Sequence, residues 1–420
     1  MNDGSLLIIS YYFPPIHSVA SLRNYYFALN LAEHFDSTTV ITTSNQKIFP
    51  KQEFPTNNLD IVPVSTFDYR TIINFFSAQK GVIHHQESKK QNTIIQFILK
   101  LNETLPFSLL FGEGGLIYIL SAYFFALKIC RKKNVTHCFS SYRVTGNHIV
   151  SFLLKRKFPK LIWIADFHDL PYDDFRNNAF LPNLQAWFWK KILKNADKVI
   201  TVSEGLANTL RKWHPNVQVI RDGIVPREAI TPIDREHFII NYTGSIYQKA
   251  QNADVLWQVL KELIDENEID KSKFRIRYAG KDATLFRSWL NKFELEEFLE
   301  DKGMVSREEA MKMQETAAVN LLLTWSFGAS KGIVTGKIYE YLSARRPILL
   351  LINGEQDLEM ENWFEEMKCG EVFYNIDLQK VPLKQHLIGL YKNKNKMHDL
   401  NSKIETQSWE NQINKVFKVE

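Results

Sequence analysis

The chain is poor in cysteine: among its 420 residues only Cys130, Cys138 and Cys369 occur, and no two form a CxxC pair. That spacing supports neither a disulfide framework nor a zinc site, and a reducing cytoplasm is the expected setting. A GxGxxG run after the first apolar segment is also missing, so a standard dinucleotide fold is not expected. Excess charge of one sign is scarce, with 52 Lys and Arg against 47 Asp and Glu and a net charge of +5. This balance is too mild to predict a nucleic-acid partner, but it suits an anionic ligand or surface. Long apolar runs are absent as well. Leu6-Leu7-Ile8-Ile9 is shorter than the core of a secretion signal and follows Asp3, so no leader is expected. Residues 105–129 are interrupted by Pro106, Gly112, Glu113, Gly114 and Gly115. Their helical part, 116–129, falls short of the ~20 residues that span a bilayer, and it reads as a core helix.

What is present is the composition of a globular enzyme, 45% apolar and 24% charged, long enough for two domains of ~100–200 residues each. Residues 6–10 read as a buried strand, 21–34 as a helix and 38–43 as a second strand, a βαβ opening. Strand and helix patterns then alternate: strand 136–140, helix 146–155, strand 161–165, helix 184–195, strand 198–202, helix 204–213 and strand 218–220. Residues 66–105 resist assignment; Phe75, Phe76, Phe97 and Leu99 are mixed there with Lys and Gln. A turn-rich connector from Asp222 to Pro232 precedes a second series: strand 238–242, helix 254–264, strand 274–279, strand 319–324, helix 336–344 and strand 347–351. Ser306-Arg307-Glu308-Glu309 is a capping box that opens a helix to Thr316. The expected fold is α/β, two Rossmann-like domains in succession.

Doubly wound domains bind ligands outside the carboxyl ends of their strands, so the motifs at those ends carry the chemistry. Gly332-Ile333-Val334-Thr335-Gly336-Lys337 resembles a P-loop, but it is one residue short, and Ile338 stands where Ser or Thr must hold magnesium. A nucleoside triphosphatase is therefore disfavoured. The segment still offers free amides and the Lys337 charge at a helix start, which makes either a diphosphate cradle or an ordinary loop–helix junction. Glu340, three residues on, suits either two ribose hydroxyls or a plain helical ion pair. Asp166-Phe167-His168-Asp169 lies just past strand 161–165 and makes either a ligand-facing group or a polar turn. Asp173 and Asp174 read as solvated turn residues. Basic clusters at Arg131-Lys132-Lys133, Lys155-Arg156-Lys157 and Lys190-Lys191, near Trp187, Phe188 and Trp189, suit either solvated helix ends or an anionic leaflet.

These residues carry a resemblance that covers nearly the whole chain. Ile9-Ser10-Tyr11-Tyr12-Phe13-Pro14-Pro15 with Arg23, Trp163-Ile164-Ala165-Asp166-Phe167-His168-Asp169, Val199-Ile200-Thr201-Val202-Ser203 and Tyr242-Thr243-Gly244-Ser245 take part. So do Val305-Ser306-Arg307-Glu308-Glu309-Ala310 and, most specifically, the run from Thr335 through Glu340 to Ile348. The chain resembles the family 4 glycosyltransferases of the GT-B fold, in the bacterial branch that builds surface polysaccharides.

The resemblance implies a retaining transferase that takes a sugar from a UDP- or GDP-sugar and passes it to a glycan or lipid-linked acceptor. No metal or other cofactor and no nucleic acid are expected. The setting is cytoplasmic, with an inner-membrane surface as a further partner. The acceptor domain should span 1–225 and the donor domain 235–400, with a cleft between them and a C-terminal helix, 402–417, crossing back to the first. Gly244, Ser245, Lys249, Thr335, Gly336 and Lys337 should hold the diphosphate, and Glu340 the ribose. His168 should sit at the reacting sugar with Asp169 orienting it or the acceptor. Pro15, His17, Ser18, Arg23 and Asp166 should line the acceptor side. Two departures stand out: the acid that many members carry eight positions before Glu340 is Gly332 here, and His17-Ser18-Val19-Ala20-Ser21 replaces a glycine pair in the first loop. A catalytically silent partner subunit and a nucleotide-sugar epimerase of the same architecture are the rival readings.

Overall fold

The computed structural model describes residues 4–46, 49–56, 58–66, 97, 100–101, 103–110, 113–172, 177–227, 230–327, 331, 334–393 and 401–417. Gly332, Phe75, Phe76, Leu99, Asp173 and Asp174 lie outside them. The chain divides into two units, one from the N-terminus to Arg221 together with the residues from Gln412 onward, the other from Asp222 to Asn411. The division thus falls a few residues before 225.

The first unit is built on seven parallel strands: β1 (Ser5–Ile9), β2 (Ser37–Thr43), β3 (Asp60–Val64), β4 (Val135–Tyr142), β5 (Ile162–Phe167), β6 (Lys198–Thr201) and β7 (Val217–Val219), in the order β3-β2-β1-β4-β5-β6-β7. Every residue of β1 is buried, as helices on both faces of a parallel sheet require. Helix Val19–Ala32 starts at Ser18, whose side chain accepts from the Ser21 amide, and helix Glu204–Leu210 starts at Ser203 in the same way. β5 runs two residues further than the apolar pattern indicated, so Asp166 and Phe167 belong to the sheet. Helix Leu116–Lys132 packs into the core of this unit by one face only. It buries Tyr118, Ile119, Ala122 and Ala126, while Leu120 and Phe124 are exposed.

The second unit repeats the design with six parallel strands, β8 (Phe238–Thr243), β9 (Phe274–Ala279), β10 (Leu299–Asp301), β11 (Val319–Ser326), β12 (Ile348–Gly354) and β13 (Gly370–Tyr374), ordered β10-β9-β8-β11-β12-β13. Helix Asp254–Asp265 lays Leu256, Leu260 and Leu263 on this sheet, a helical stripe at i, i+4, i+7. Each such fully buried side chain contributes about 1.5–3 kcal/mol. The capping box works as the sequence indicates: Ser306 Oγ accepts from the Glu309 amide, 3.1 Å away, at the start of helix Arg307–Thr316.

The C-terminal stretch is two helices, Asn401–Thr406 and Trp409–Phe417, rather than one. Its end returns to the first unit, where Lys198 Nζ donates to the Val416 carbonyl at 2.6 Å and Gln218 Nε2 to that of Lys415 at 3.1 Å. In both sheets the direction of winding reverses at the centre, between β1 and β4 and between β8 and β11. The carboxyl ends of those strands are the switch points at which such sheets generally take ligands.

Candidate functional site

In the second unit the loop after β8 meets the start of helix Lys337–Ser343 at this switch point. Gly244 has φ +109°, a conformation that side chains other than glycine's rarely adopt. Lys337 crosses this bare α-carbon and turns its ammonium inward. Its Nζ donates to Tyr242 Oη at 2.7 Å and to the Ser245 carbonyl at 3.0 Å, and stands 4.1 Å from the centre of the Tyr242 ring. Burial pushes the Lys337 ammonium down to about 7, with Asp282 and Glu340 opposing the shift. The helix is only seven residues long, so its dipole adds little and the charge of Lys337 does most of the electrostatic work. Gly336 is exposed, Ser245 and Thr335 are half-buried, and Lys249 projects into solvent. The Thr335 hydroxyl is buried and makes no hydrogen bond with another described residue.

Glu340 does not bond to Lys337. Its Oε2 accepts from Gln314 Nε2 at 3.3 Å, and its Oε1 stands 3.5 Å from Arg307 Nη2. Gln314 also donates to Thr243 Oγ1 at 3.0 Å, which ties the carboxylate to the end of β8. The carboxylate remains about one-third exposed, so it keeps room for further donors. In the loop after β8 the ring of Tyr247, 59% exposed, lies 5.1 Å from that of Trp325 at the end of β11. Asp282, Gln314 and this aromatic pair were not singled out from sequence. Tyr242 and Arg307 stand there within motifs of the resemblance, Arg307 also as a capping-box member, with no role given to either side chain; the others carry no local pattern.

In the first unit, Arg23 and Asp166 do not line an acceptor surface, because both are buried. Arg23 Nη2 and Nε donate to the two Asp166 oxygens at 2.7 and 3.2 Å, and Ser141, the register partner of Asp166 on β4, donates to it at 3.1 Å. Burial alone would raise the Asp166 carboxyl, but Arg23 and His168 outweigh it and hold it well below the usual carboxylate range. His168, one residue beyond β5, points Nδ1 at this group, 3.5 Å from Ser141 Oγ and 3.9 Å from Asp166 Oδ2. Asp166 rather than Asp169 is therefore the carboxylate set against the imidazole. Asp169 caps its own turn, accepting from the Leu170 amide at 3.0 Å, and faces Arg143.

The Ser18 hydroxyl is spent on capping. Pro15 and His17 are half-buried and bonded through their backbones to Gln52 and Pro50. Arg143, Glu113 and Tyr12 gather at the same end of the sheet, where the Tyr12 hydroxyl donates to Glu113 and Arg143 faces both. No cluster of three or more metal-ligating side chains occurs among the described residues.

Comparison with solved structures decides the fold. Sucrose-phosphate synthase from Thermosynechococcus elongatus matches at 12% identity and a TM-score of 0.59, covering 98% of this chain and 97% of that one. The lipopolysaccharide outer core galactosyltransferase WaaB, in its apo form, matches at 9% identity and 0.55 over 98% of both chains. A structure of trehalose-6-phosphate from E. coli bound with UDP-2-fluoro glucose matches at 12% and 0.56, again over 98% of both. The chain has the GT-B fold. No curated protein sequence matches it. One family model, CO dehydrogenase beta subunit/acetyl-CoA synthase epsilon subunit, matches residues 339–416. That stretch is less than a fifth of this GT-B chain and holds β12, β13 and the helices around them.

Proposed function

We propose that the protein is a retaining glycosyltransferase that moves a sugar from a UDP- or GDP-sugar to a glycan or lipid-linked acceptor, in the synthesis of a surface polysaccharide such as capsule, O-antigen or exopolysaccharide. The observation that carries this reading is the pair Lys337 and Glu340 at the carboxyl edge of the second sheet. A buried ammonium beside a loop of free amides suits a diphosphate, and a part-open carboxylate one helical turn away suits two ribose hydroxyls. The likeness to glycosyltransferase structures over the whole chain supports it.

As the donor bond breaks, negative charge collects on the leaving diphosphate, and donors already in place there lower the barrier most. Lys337 supplies the positive charge, with the amides near Thr335 and Gly336 beside it and Lys249 as a second, solvent-borne cation. His168 stands at the reacting sugar. Asp166 fixes its ring through Nδ1, so that Nε2 meets the substrate, and Arg23 holds Asp166 ionised. Catalysis without a metal, at the inner face of the membrane, completes the proposal. It is tested by incubating the protein with a library of nucleotide sugars and acceptor glycans in the presence of a chelator. Release of UDP or GDP that depends on acceptor, with the anomeric configuration kept in the product, is the expected result. Sugar conversion without acceptor would point to an epimerase, and no binding of any nucleotide sugar to a silent subunit.

A further inference from the structure

Arg227 lies in the connector that opens the second unit, and its side chain is buried, 7% exposed. Its Nη1 donates to Glu315 Oε1 at 2.7 Å and to the Met311 carbonyl at 3.2 Å. Its Nη2 donates to Gln314 Oε1 at 2.8 Å and to the Glu340 carbonyl at 2.9 Å. One side chain thus ties helix Arg307–Thr316 to helix Lys337–Ser343. The connector is fastened to the second of these helices at two further points. The Asp222 amide donates to Tyr339 Oη at 3.2 Å, and Ser343 Oγ donates to the Val225 carbonyl at 2.7 Å.

A guanidinium only donates, so the Gln314 atom that faces it must be the amide oxygen. The amide nitrogen is then turned the other way, where it donates to Thr243 Oγ1 at 3.0 Å and to Glu340 Oε2 at 3.3 Å. Thr243 cannot choose between the two orientations, because a hydroxyl both donates and accepts. Flipped, the amide would set its oxygen against the Glu340 carboxylate, acceptor against acceptor. Arg227 decides the matter, and Glu315 in turn fixes Arg227. Burial alone would raise the Glu315 carboxyl, but Thr231 and Arg227 outweigh it and hold it below its ordinary range. A purely structural ion pair needs only Nη1 and Glu315; Nη2 serves Gln314 and Glu340 instead.

We infer that Arg227 is a positioning residue of the donor site: through Gln314 it presets the Glu340 carboxylate to accept two ribose hydroxyls, an inference that rests on the ribose role proposed for Glu340. Being buried, Arg227 acts through Gln314 and meets no ligand itself. A carboxylate held before the ligand arrives spares binding the cost of ordering it. The effect therefore falls on donor affinity, and the chemical step, which depends on Lys337, is left alone.

The experiment separates this role from that of an ordinary buried ion pair. Arg227→Met alone would strand the Glu315 charge in the interior, so two other variants are used. Arg227→Met/Glu315→Leu removes the pair as a unit. Arg227→Lys keeps a cation for Glu315 without the planar fork that also reaches Gln314. Both should unfold in a cooperative thermal transition. Both should weaken UDP and GDP in calorimetric titrations, and raise the KM of the nucleotide sugar that turns over, by about 2- to 10-fold, the size of one hydrogen bond. Their kcat should stay within about twofold of wild type, because the group at the leaving diphosphate is untouched. In a Glu340→Ala background the same changes should add nothing, since their effect passes through that carboxylate.

Wild-type affinity in both variants overturns the inference. So does a fall in kcat at unchanged KM, or an equal loss of affinity in the Glu340→Ala background. Failure of the ribose reading looks different: the wild type binds neither UDP nor GDP, or Glu340→Ala alone leaves their affinity unchanged. Either result withdraws the role from Arg227 as well.

Discussion

Lys337 lies across the bare α-carbon of Gly244: a Cβ built on Gly244 would stand 2.7 Å from Lys337 Cε and 3.1 Å from Nζ. The glycine therefore does two things, turning the chain at φ +109° and leaving the space through which the lysine reaches Tyr242 and Ser245. Gly244→Ala should push the lysine out of this seat and strain the turn by about 1–3 kcal/mol. Loss of UDP and GDP affinity, in calorimetric titrations of a variant that still unfolds cooperatively, is the expected outcome. Wild-type affinity would mean that the lysine has another seat for the ligand.

Lys337 also sets a pH dependence. Its proton is held at about 7 in the folded chain against 10.5 for a free lysine, so the unfolded chain binds more protons between those values and stability rises with pH across that window. A bound diphosphate favours the charged form. Binding above pH 7 should therefore take up a proton, and affinity should fall with rising pH by at most about tenfold per unit. Titrations of UDP in two buffers of different ionisation enthalpy read this uptake directly, and it should vanish in Lys337→Met. In the same variant kcat should drop by roughly 10²-fold or more, with only partial recovery in Lys337→Arg, whose planar fork differs from an ammonium.

Asp166→Asn should cost about 3–5 kcal/mol in urea unfolding at neutral pH, because it leaves the buried Arg23 without its counter-charge. The native carboxyl titrates below its unfolded value. Its contribution is thus fully present above the unfolded pKa of a carboxylate and is lost as pH falls toward the folded one. The deficit of the variant should shrink on acidification in the same way. A deficit independent of pH would remove the ion pair as its cause. Pairing Asp166→Leu with Arg23→Met should recover most of the stability and none of the activity.

Glu340→Ala should raise the donor KM more than it lowers kcat. A hydrogen bond to a charged group contributes about 1.5–3 kcal/mol, or roughly 10- to 100-fold in affinity. Gln314 and Arg307 hold the carboxylate from behind, so Gln314→Leu should produce a weaker effect of the same kind. Donor KM values for the two variants beside wild type decide the matter; an unchanged KM in Glu340→Ala takes the ribose away from this residue.

Much of this arrangement was legible because it depends on neighbours in sequence. Ser203 and Ser306 announced helix starts, the apolar run at residues 6–10 announced a buried strand, and Gly336-Lys337 announced the loop–helix junction that opens helix Lys337–Ser343. What could not be read was which side chains meet across strands. Asp166 stood one residue past the end of the apolar run and looked like loop; its place in β5 follows from Arg23, distant in sequence, neutralising it from the first helix. Likewise Ser18 read as a small residue in an open loop, whereas its hydroxyl belongs to the cap of helix Val19–Ala32.

The residue order by itself determined two successive Rossmann-like sheets, their helix caps and the loops at the carboxyl ends of their strands, since periodicity, capping and turn chemistry act over a few residues. Tertiary structure alone decided the rest. It seated Lys337 on Gly244, nearly a hundred positions away, in a place dry enough to loosen its proton. It set Asp166 behind His168, and it left Leu120 and Phe124 of helix Leu116–Lys132 exposed. Burial and counter-charge are properties of whatever packs alongside, and in a parallel sheet the packing partner comes from a distant part of the chain.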